Sequence, residues 1–563
     1  MRIAILCGHN KAIYTGNRMA LAKRRPALEK RGLVTKSLKN ISIVSSVTMV
    51  SRVLGLIRDS LTAGVFGTSA LASAFYTAFT LPNLFRRLLG EGALTAAFVP
   101  TLNDELSARQ HSGAFALVSQ VASWLLVVTT GVVALSMLAL ALSPALIAHT
   151  GGWGAAPDTI ARWLQAAELA VWLFPYLIVV CLAAAFSAAL QTLRHFLEPA
   201  LSPVWLNCAM IGLLGLSVVT RPDAGELSHM RWLCAGVLLG GALQMLVPAF
   251  ALMRLGWRPR FDLTVNAQVR AIARLMAPTI FGSAIYLINL AISRLIGLSL
   301  DEASATLLNL ATRLMELPIG VFAVAVTTVV FPLISRYAAQ GDWTNLAGAY
   351  RQGMRLILVI NIPAAAGLAL LAMPVIRVLF QRGAFSAEDT TRMAPVLAIY
   401  ALGLPFLSFV NLALRAFYAQ KDTTTPVRAA LISFLVNLGL SLALMDSLGT
   451  LGLAVAGNVS IAIQAWFLQS RLVRKRHELA FSHLAPDVAR IVAATVLMGG
   501  AVFLAQRGIE LAASPSLLRD ALGVAATIAV AVPLYGVLLW VFRLEGRDEV
   551  LAWLKGKFGG KRA

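Results

Sequence analysis

The chain is 563 residues long, 58% hydrophobic and only 13% charged, with a mean hydropathy of +0.76. Soluble domains run at about 45–50% apolar and about 25% charged, so a soluble globular enzyme is excluded, as is disorder, which needs low hydrophobicity. The formal charge of +22 would suggest nucleic acid in a soluble protein; in a membrane protein it marks cytoplasmic loops rich in Lys and Arg, and no nucleic-acid partner is expected.

Residues 1–40 carry ten Lys/Arg against Glu29 alone. They read as a basic cytoplasmic arm, or as an extension upstream of a start at Met19. The apolar run in Met1–Gly8 is too short for a signal-peptide core. Fourteen apolar segments follow, at roughly 42–65, 71–103, 117–147, 161–191, 198–219, 231–253, 276–299, 304–335, 352–376, 394–419, 426–445, 451–470, 488–508 and 519–542. Each reaches or approaches the ~20 residues that span a bilayer, and the alternation of an outer-membrane barrel is absent. The fold class is therefore an all-α polytopic membrane protein of about 14 transmembrane helices. The second and eighth segments are interrupted at Pro82 and Pro318, where a lost backbone bond is tolerated if the freed groups line a cavity.

With the N-terminus inside, the even-numbered loops and both tails hold 33 of the 48 Lys/Arg, the odd-numbered loops 8 and the spans 7. That asymmetry places both termini in the cytoplasm. Leu81-Pro82-Asn83 to Phe98-Val99-Pro100 is echoed by Leu317-Pro318-Ile319 to Val330-Phe331-Pro332, and Ser202-Pro203-Val204 by Thr425-Pro426-Val427. Offsets of six spans predict two parallel six-helix halves, 41–254 and 276–475, with a site between them. An amphipathic cytoplasmic linker at 255–275 joins them. Helices 13 and 14 (476–543) and a basic tail (544–563) are additions.

The cysteines, Cys7, Cys181, Cys208 and Cys234, show no metal spacing, and the last three are expected to be buried small hydrophobes. No metal, cofactor or catalytic triad is expected. Seven arginines lie within spans: Arg52, Arg58, Arg86, Arg87, Arg294, Arg313 and Arg415. Each costs roughly 2.5–3.5 kcal/mol facing lipid at mid-bilayer, so they must face protein or water, or snorkel from a helix end, as expected for Arg415. The nearby carboxylates are Asp59, Glu91 and Glu316. Spacing pairs Arg87 with Glu91, Arg313 with Glu316, and Asp59 with Arg52 two turns away. Such pairs could simply brace helices. Yet three carboxylates leave four of the seven guanidinium groups unbalanced, and surplus buried Arg suits a phosphate-bearing anion.

The motifs carry a resemblance. Ser51-Arg52-Val53-Leu54-Gly55-Leu56-Ile57-Arg58-Asp59, Leu81-Pro82-Asn83-Leu84-Phe85-Arg86-Arg87, Glu91-Gly92-Ala93, Ala97-Phe98-Val99-Pro100, Arg313-Leu314-Met315-Glu316-Leu317-Pro318-Ile319-Gly320-Val321 and Phe417-Tyr418-Ala419-Gln420-Lys421-Asp422-Thr423-Thr424-Thr425-Pro426-Val427 resemble, in order and spacing, the MurJ (MviN) lipid II flippases of the MOP exporter superfamily. The resemblance covers about 41–545. It implies a fourteen-helix, MATE-like flippase in the bacterial inner membrane that moves the undecaprenyl-pyrophosphate-linked disaccharide-pentapeptide outward, with Arg52, Arg58, Arg86 and Arg313 lining the cavity. It also implies a groove on helices 13 and 14 for the lipid tail. Asp59, Arg87, Glu91, Glu316 and Arg294 are supporting residues, and Gly55, Pro82 and Pro318 candidate hinges. The expected partners are lipid II and membrane lipids, for a monomeric transporter associated with the cell-wall synthesis machinery. Two features depart from the family. Ser73 stands where other members have Asp, and span seven offers Ser293-Arg294 without the acidic residues of a sodium site, so none is expected; Arg294 would supply fixed charge instead. The rivals are a flippase for another lipid-linked oligosaccharide, a cation-drug exporter, which would want carboxylates, and a membrane-embedded transferase or phosphatase, which would need loop carboxylates with partners.

Overall fold

The structure, a computed structural model, describes residues 44–544 apart from 45, 87–93, 320–323, 481–483, 513 and 515. The basic arm, the tail from 545 onward, Arg87 and Glu91 lie outside the described residues, and with them the Arg87–Glu91 pairing.

Helices follow one another almost without pause: α1 (46–66), α2 (Ala70–Phe85), α3 (Thr95–Ala141), α4 (Ser143–His149), α5 (Pro157–Leu173), α6 (Tyr176–Thr192), α7 (Leu197–Thr220), α8 (Glu226–Arg254), α9 (Ala267–Leu300) and α10 (Ser304–Pro318). After these come α11 (Val324–Gln340), α12 (Trp343–Leu370), α13 (Ala372–Leu379), α14 (Ala387–Leu402), α15 (Leu404–Ala419), α16 (Thr424–Leu448), α17 (Thr450–Lys475), α18 (Ala485–Ala512) and α19 (Leu517–Val541). Starts are set by local chemistry. Ser69, Asn266, Asp342 and Ser516 each accept a backbone N–H of the first turn, and Ser386 with Asp389 forms a reciprocal capping box on α14, satisfying donors that a helix leaves unpaired.

Nine helices among the described residues are long and apolar enough to cross a membrane, ten when α5 and α6, bent by 45°, count as one span. The other four expected segments lie on α1, α2, α9 and α10–α11. They carry or adjoin Arg52, Arg58, Asp59, Arg86, Arg294, Arg313 and Glu316. Pro82 lies three residues before the end of α2, and Pro318 is the last residue of α10. Gln110, at φ 54° and ψ −149°, breaks α3 where the second expected segment gives way to the third. Of the expected linker, 255–266 is non-helical, whereas residues 267–275 already belong to α9. The non-helical stretch is strapped to α3 by Gln120 with Asp262 (3.0 Å), the Asp262 amide with Ser123 Oγ (2.9 Å) and Asn266 with Gln120 (2.8 Å).

Packing repeats across the chain: α7 lies against α8 as α16 lies against α17, and α18 and α19 form a hairpin docked on α12 and α13. One buried cluster around Phe98, Leu102, Phe186 and Trp257 belongs to α3, α6 and α8, and another around Tyr350, Leu412 and Phe417 to α12, α15 and α17. A third bridges them, joining Phe66, Phe75, Phe79 and Leu177 to Leu310, Phe380 and Phe385. The hairpin presents Leu504, Leu511 and Val530 outward, the pattern of a lipid-facing surface. Cys181 and Cys234 are buried as expected, but Cys208 is exposed, because it sits on the outer face of α7 beside the inward-facing Asn207.

Candidate functional site

Arg52, Arg58, Arg86 and Arg313 line one cavity of about 560 Å³. One wall is α1, with Ser51, Gly55 and Asp59; a second is the end of α2, with Phe79 and Asn83; α10 adds Arg313, Glu316 and Leu317. The remaining wall comes from α6, α7 and α8 through Tyr176, Gln191, Ser202, Asn207 and Gln244. Most of the lining thus comes from α1, α2 and α6–α8, with α10 supplying the rest. Sequence reasoning missed the polar residues of this wall because it priced only formal charge. Asn207 and Gln244, amides in the middle of apolar runs, were the available signal, since a buried amide also demands partners.

The bonding corrects one expected pair. Asp59, 3% exposed, does not pair with Arg52: two helical turns separate them by about 10.5 Å, beyond a short carboxylate's reach. Its Oδ1 accepts instead from Arg58 Nη2 (2.6 Å) and Nε (3.0 Å), and its Oδ2 faces Arg313 Nε at 3.9 Å. One carboxylate therefore joins α1 to α10. Glu316 takes Arg313 Nη1 at 3.5 Å, the expected i,i+3 pair. Arg86 Nε donates to Asn83 Oδ1 at 2.9 Å. Arg52 has no carboxylate partner among the described residues. Among the described residues, four guanidinium groups and the carboxylates of Asp59 and Glu316 line this cavity.

The other members fall elsewhere. Arg294, 6% exposed, donates to the Ala305 carbonyl (3.3 Å) and borders an adjoining 70 Å³ space with Asn309, Arg313 and Glu316. Arg415 stacks on Phe331 at 5.3 Å, away from the cavity. Ser73 is fully buried at the opposite end, where its hydroxyl bonds the Glu302 carbonyl and lies 2.9 Å from Thr306 Oγ1. It pins α2 to the α9–α10 turn. Gly55 is on the cavity wall, with room for a Cβ 3.7 Å from Asn207 Nδ2.

That opposite end is closed. The α1–α2 turn docks on the α13–α14 turn: Ala384 N donates to Gly64 O (2.7 Å), Ser60 Oγ to Leu379 O (2.5 Å), and Thr68 to Asp389. Gly67 and Gly383, both at φ +57°, make the approach possible, for a Cβ on Gly67 would stand 2.6 Å from Ala384 O and one on Gly383 would strike Gly64 O. Arg162 of α5 closes the neighbouring gap by donating to the Leu298 and Ser299 carbonyls at the end of α9 (3.0 and 3.1 Å).

A family model, lipid II flippase MurJ, matches residues 62–515. A protein of Rhizobium meliloti (strain 1021), named probable lipid II flippase MurJ, is 34% identical over 505 residues, covering 88% of this chain and 92% of its own. A solved structure named lipid II flippase MurJ, inward closed conformation, superposes with a TM-score of 0.72 at 25% identity, over 90% of this chain and 99% of that one. An inward-facing multidrug resistance MATE family transporter of the MOP superfamily shares the fold, with a TM-score of 0.60 at 15% identity over 76% of this chain and 97% of its own.

Proposed function

The chain belongs to the lipid II flippase MurJ family, and we propose that it carries lipid II from the cytoplasmic to the periplasmic leaflet by alternating access, with Arg52, Arg58, Arg86 and Arg313 holding the diphosphate. The observation that carries this reading is the meeting of four arginines from α1, α10 and the end of α2 at one cavity wall with two carboxylates. A diphosphate presents paired oxygens, and the planar fork of Arg answers them with parallel N–H bonds where an ammonium offers a point charge. The protein is a multi-pass inner-membrane transporter of a family that is not catalytic.

The headgroup cannot cross ~30 Å of hydrocarbon unshielded, and a pore open at both ends would leak ions. The cavity at one end and the bonded turns at the other suit an inward-loaded state closed to the outside, with both termini cytoplasmic as the Lys/Arg asymmetry favours. The empty cavity's surplus charge resists closing until an anion neutralises it, which couples closure to loading. An inside-negative potential, worth about 2.3 kcal/mol per charge per 100 mV, then helps return the emptied, positive site inward. Gly55, Pro82 and Pro318 serve as bending points, Arg294 as fixed charge beside Arg313, and the α18–α19 hairpin as the flank along which the lipid tail travels. The transporter works as a monomer beside the cell-wall synthesis machinery. A cation-drug exporter is disfavoured because the wall is net positive.

The test is flipping of labelled lipid II in sealed vesicles, with and without an imposed potential, alongside complementation of a flippase-depleted strain. Arg→Ala at each of the four positions should abolish both while protein still reaches the membrane. Full activity of three of the four variants would overturn the reading.

A further inference from the structure

Arg58 is held from two sides, and only one of them belongs to its own helix. Asp59 takes Nε and Nη2 along one edge of the guanidinium. From α7, Asn207 Oδ1 accepts from Arg58 Nη1 at 3.0 Å, with Met210 Sδ one turn further at 4.0 Å. Asn207 is 5% exposed. Its Nδ2 donates to the Ser51 carbonyl at 3.1 Å. That second bond fixes which way the amide points, since a carbonyl can only accept and a guanidinium can only donate. The oxygen therefore faces Arg58 without ambiguity, and both ends of the amide are satisfied, as burial requires.

The consequence lies in the N–H count. A guanidinium has five; Asp59 and Asn207 engage three and Met210 Sδ takes a weak contact from Nη1, leaving at least one, on Nη2, for a ligand in the cavity that Arg58 lines. Without Asn207, Nη1 would lose its anchor and the plane would be free to turn about the Asp59 contact. We propose that Asn207 is a positioning residue for the diphosphate: it acts through Arg58, setting the plane of its fork, and ties that setting to the α1–α7 contact. This rests on the reading that Arg58 holds the diphosphate.

The experiment is a double-mutant cycle on the full chain in nanodiscs, with undecaprenyl diphosphate as the probe and thermal melting to confirm folding. Asn207→Leu, close in shape but lacking the acceptor, should weaken binding about tenfold in the parent and less than twofold in an Arg58→Ala background. Asn207→Ala should follow the same pattern, and stands in if the leucine variant fails to fold. An equal loss in both backgrounds, or no loss in the parent, overturns the proposal. If Arg58→Ala alone binds like the parent, the diphosphate reading of Arg58 falls instead, and the two failures are told apart.

Discussion

Gly67→Ala should unlatch the closed end of the molecule, and the structure says by how much. Two costs must be separated. At φ +57° an alanine sustains roughly 1–2 kcal/mol of left-handed strain, but this accompanies the turn in any state that keeps its shape and so lowers stability without biasing conformation. The second cost exists only while the turns are docked. The new Cβ would lie 2.6 Å from the Ala384 carbonyl oxygen, about 0.7 Å inside the ordinary 3.3–3.6 Å approach of carbon to oxygen. The turns must separate, weakening the Ala384 N–Gly64 O bond of 2.7 Å, worth about 0.5–1.5 kcal/mol. Bond and overlap together bias the equilibrium by about 1–3 kcal/mol, or roughly 5–150-fold towards the undocked state. Gly341→Ala is the control: its φ is +70°, yet no atom lies within 4 Å of the added Cβ, so it bears the strain alone. The assay is labelling of Thr62→Cys, a 2% exposed position in the space beneath the latch, by an impermeant maleimide added to spheroplasts, in a background lacking the native cysteines. Labelling should accelerate by that factor in Gly67→Ala and not in Gly341→Ala. Equal rates in the two variants would refute the reasoning.

Asp59→Asn should lower stability by about 3 kcal/mol, because it leaves Arg58 and the half-buried Arg313 without their shared carboxylate; an unchanged melting temperature in nanodiscs would count against the bridge. Asp487→Asn should loosen α18 from α12 by a similar amount, since its 4% exposed carboxylate holds Arg355 at 2.6 Å and Arg490 at 3.3 Å, and hydrogen exchange of α18 should rise while α7 stays protected. Arg58→Lys should recover little of the flipping lost in Arg58→Ala, because an ammonium cannot present the fork. In the α15–α16 loop, burial works against the Asp422 carboxylate, but bonds from Lys475, Thr425 and Thr424 outweigh it and hold the group well below the usual carboxylate range. Its stabilisation is therefore complete above about pH 4 and lost as pH falls through the depressed value. Asp422→Asn should melt lower than the parent at pH 7, with the gap narrowing only below about pH 4.

Composition alone placed the chain in a bilayer as helices, because a bilayer admits few backbone solutions and a run of apolar residues is a local property. The cost of charge in that setting singled out the arginines, and motif order led to the family. The i,i+3 pair Arg313–Glu316 was legible for the same reason, as it depends only on helical period. Tertiary structure decided what period cannot reach. Asp59 chose its neighbour Arg58 and Arg313, on a helix about 250 residues onward, over Arg52. The cavity borrowed its remaining wall from α6–α8, where uncharged amides gave only a faint signal. Gly67 and Gly383 look like ordinary turn residues until their backbones are found against each other's neighbours, and Cys208 faces outward while Asn207 beside it faces in. A helix's own spacing says which residues share a face; which face meets which neighbour is set by packing between segments far apart in the chain.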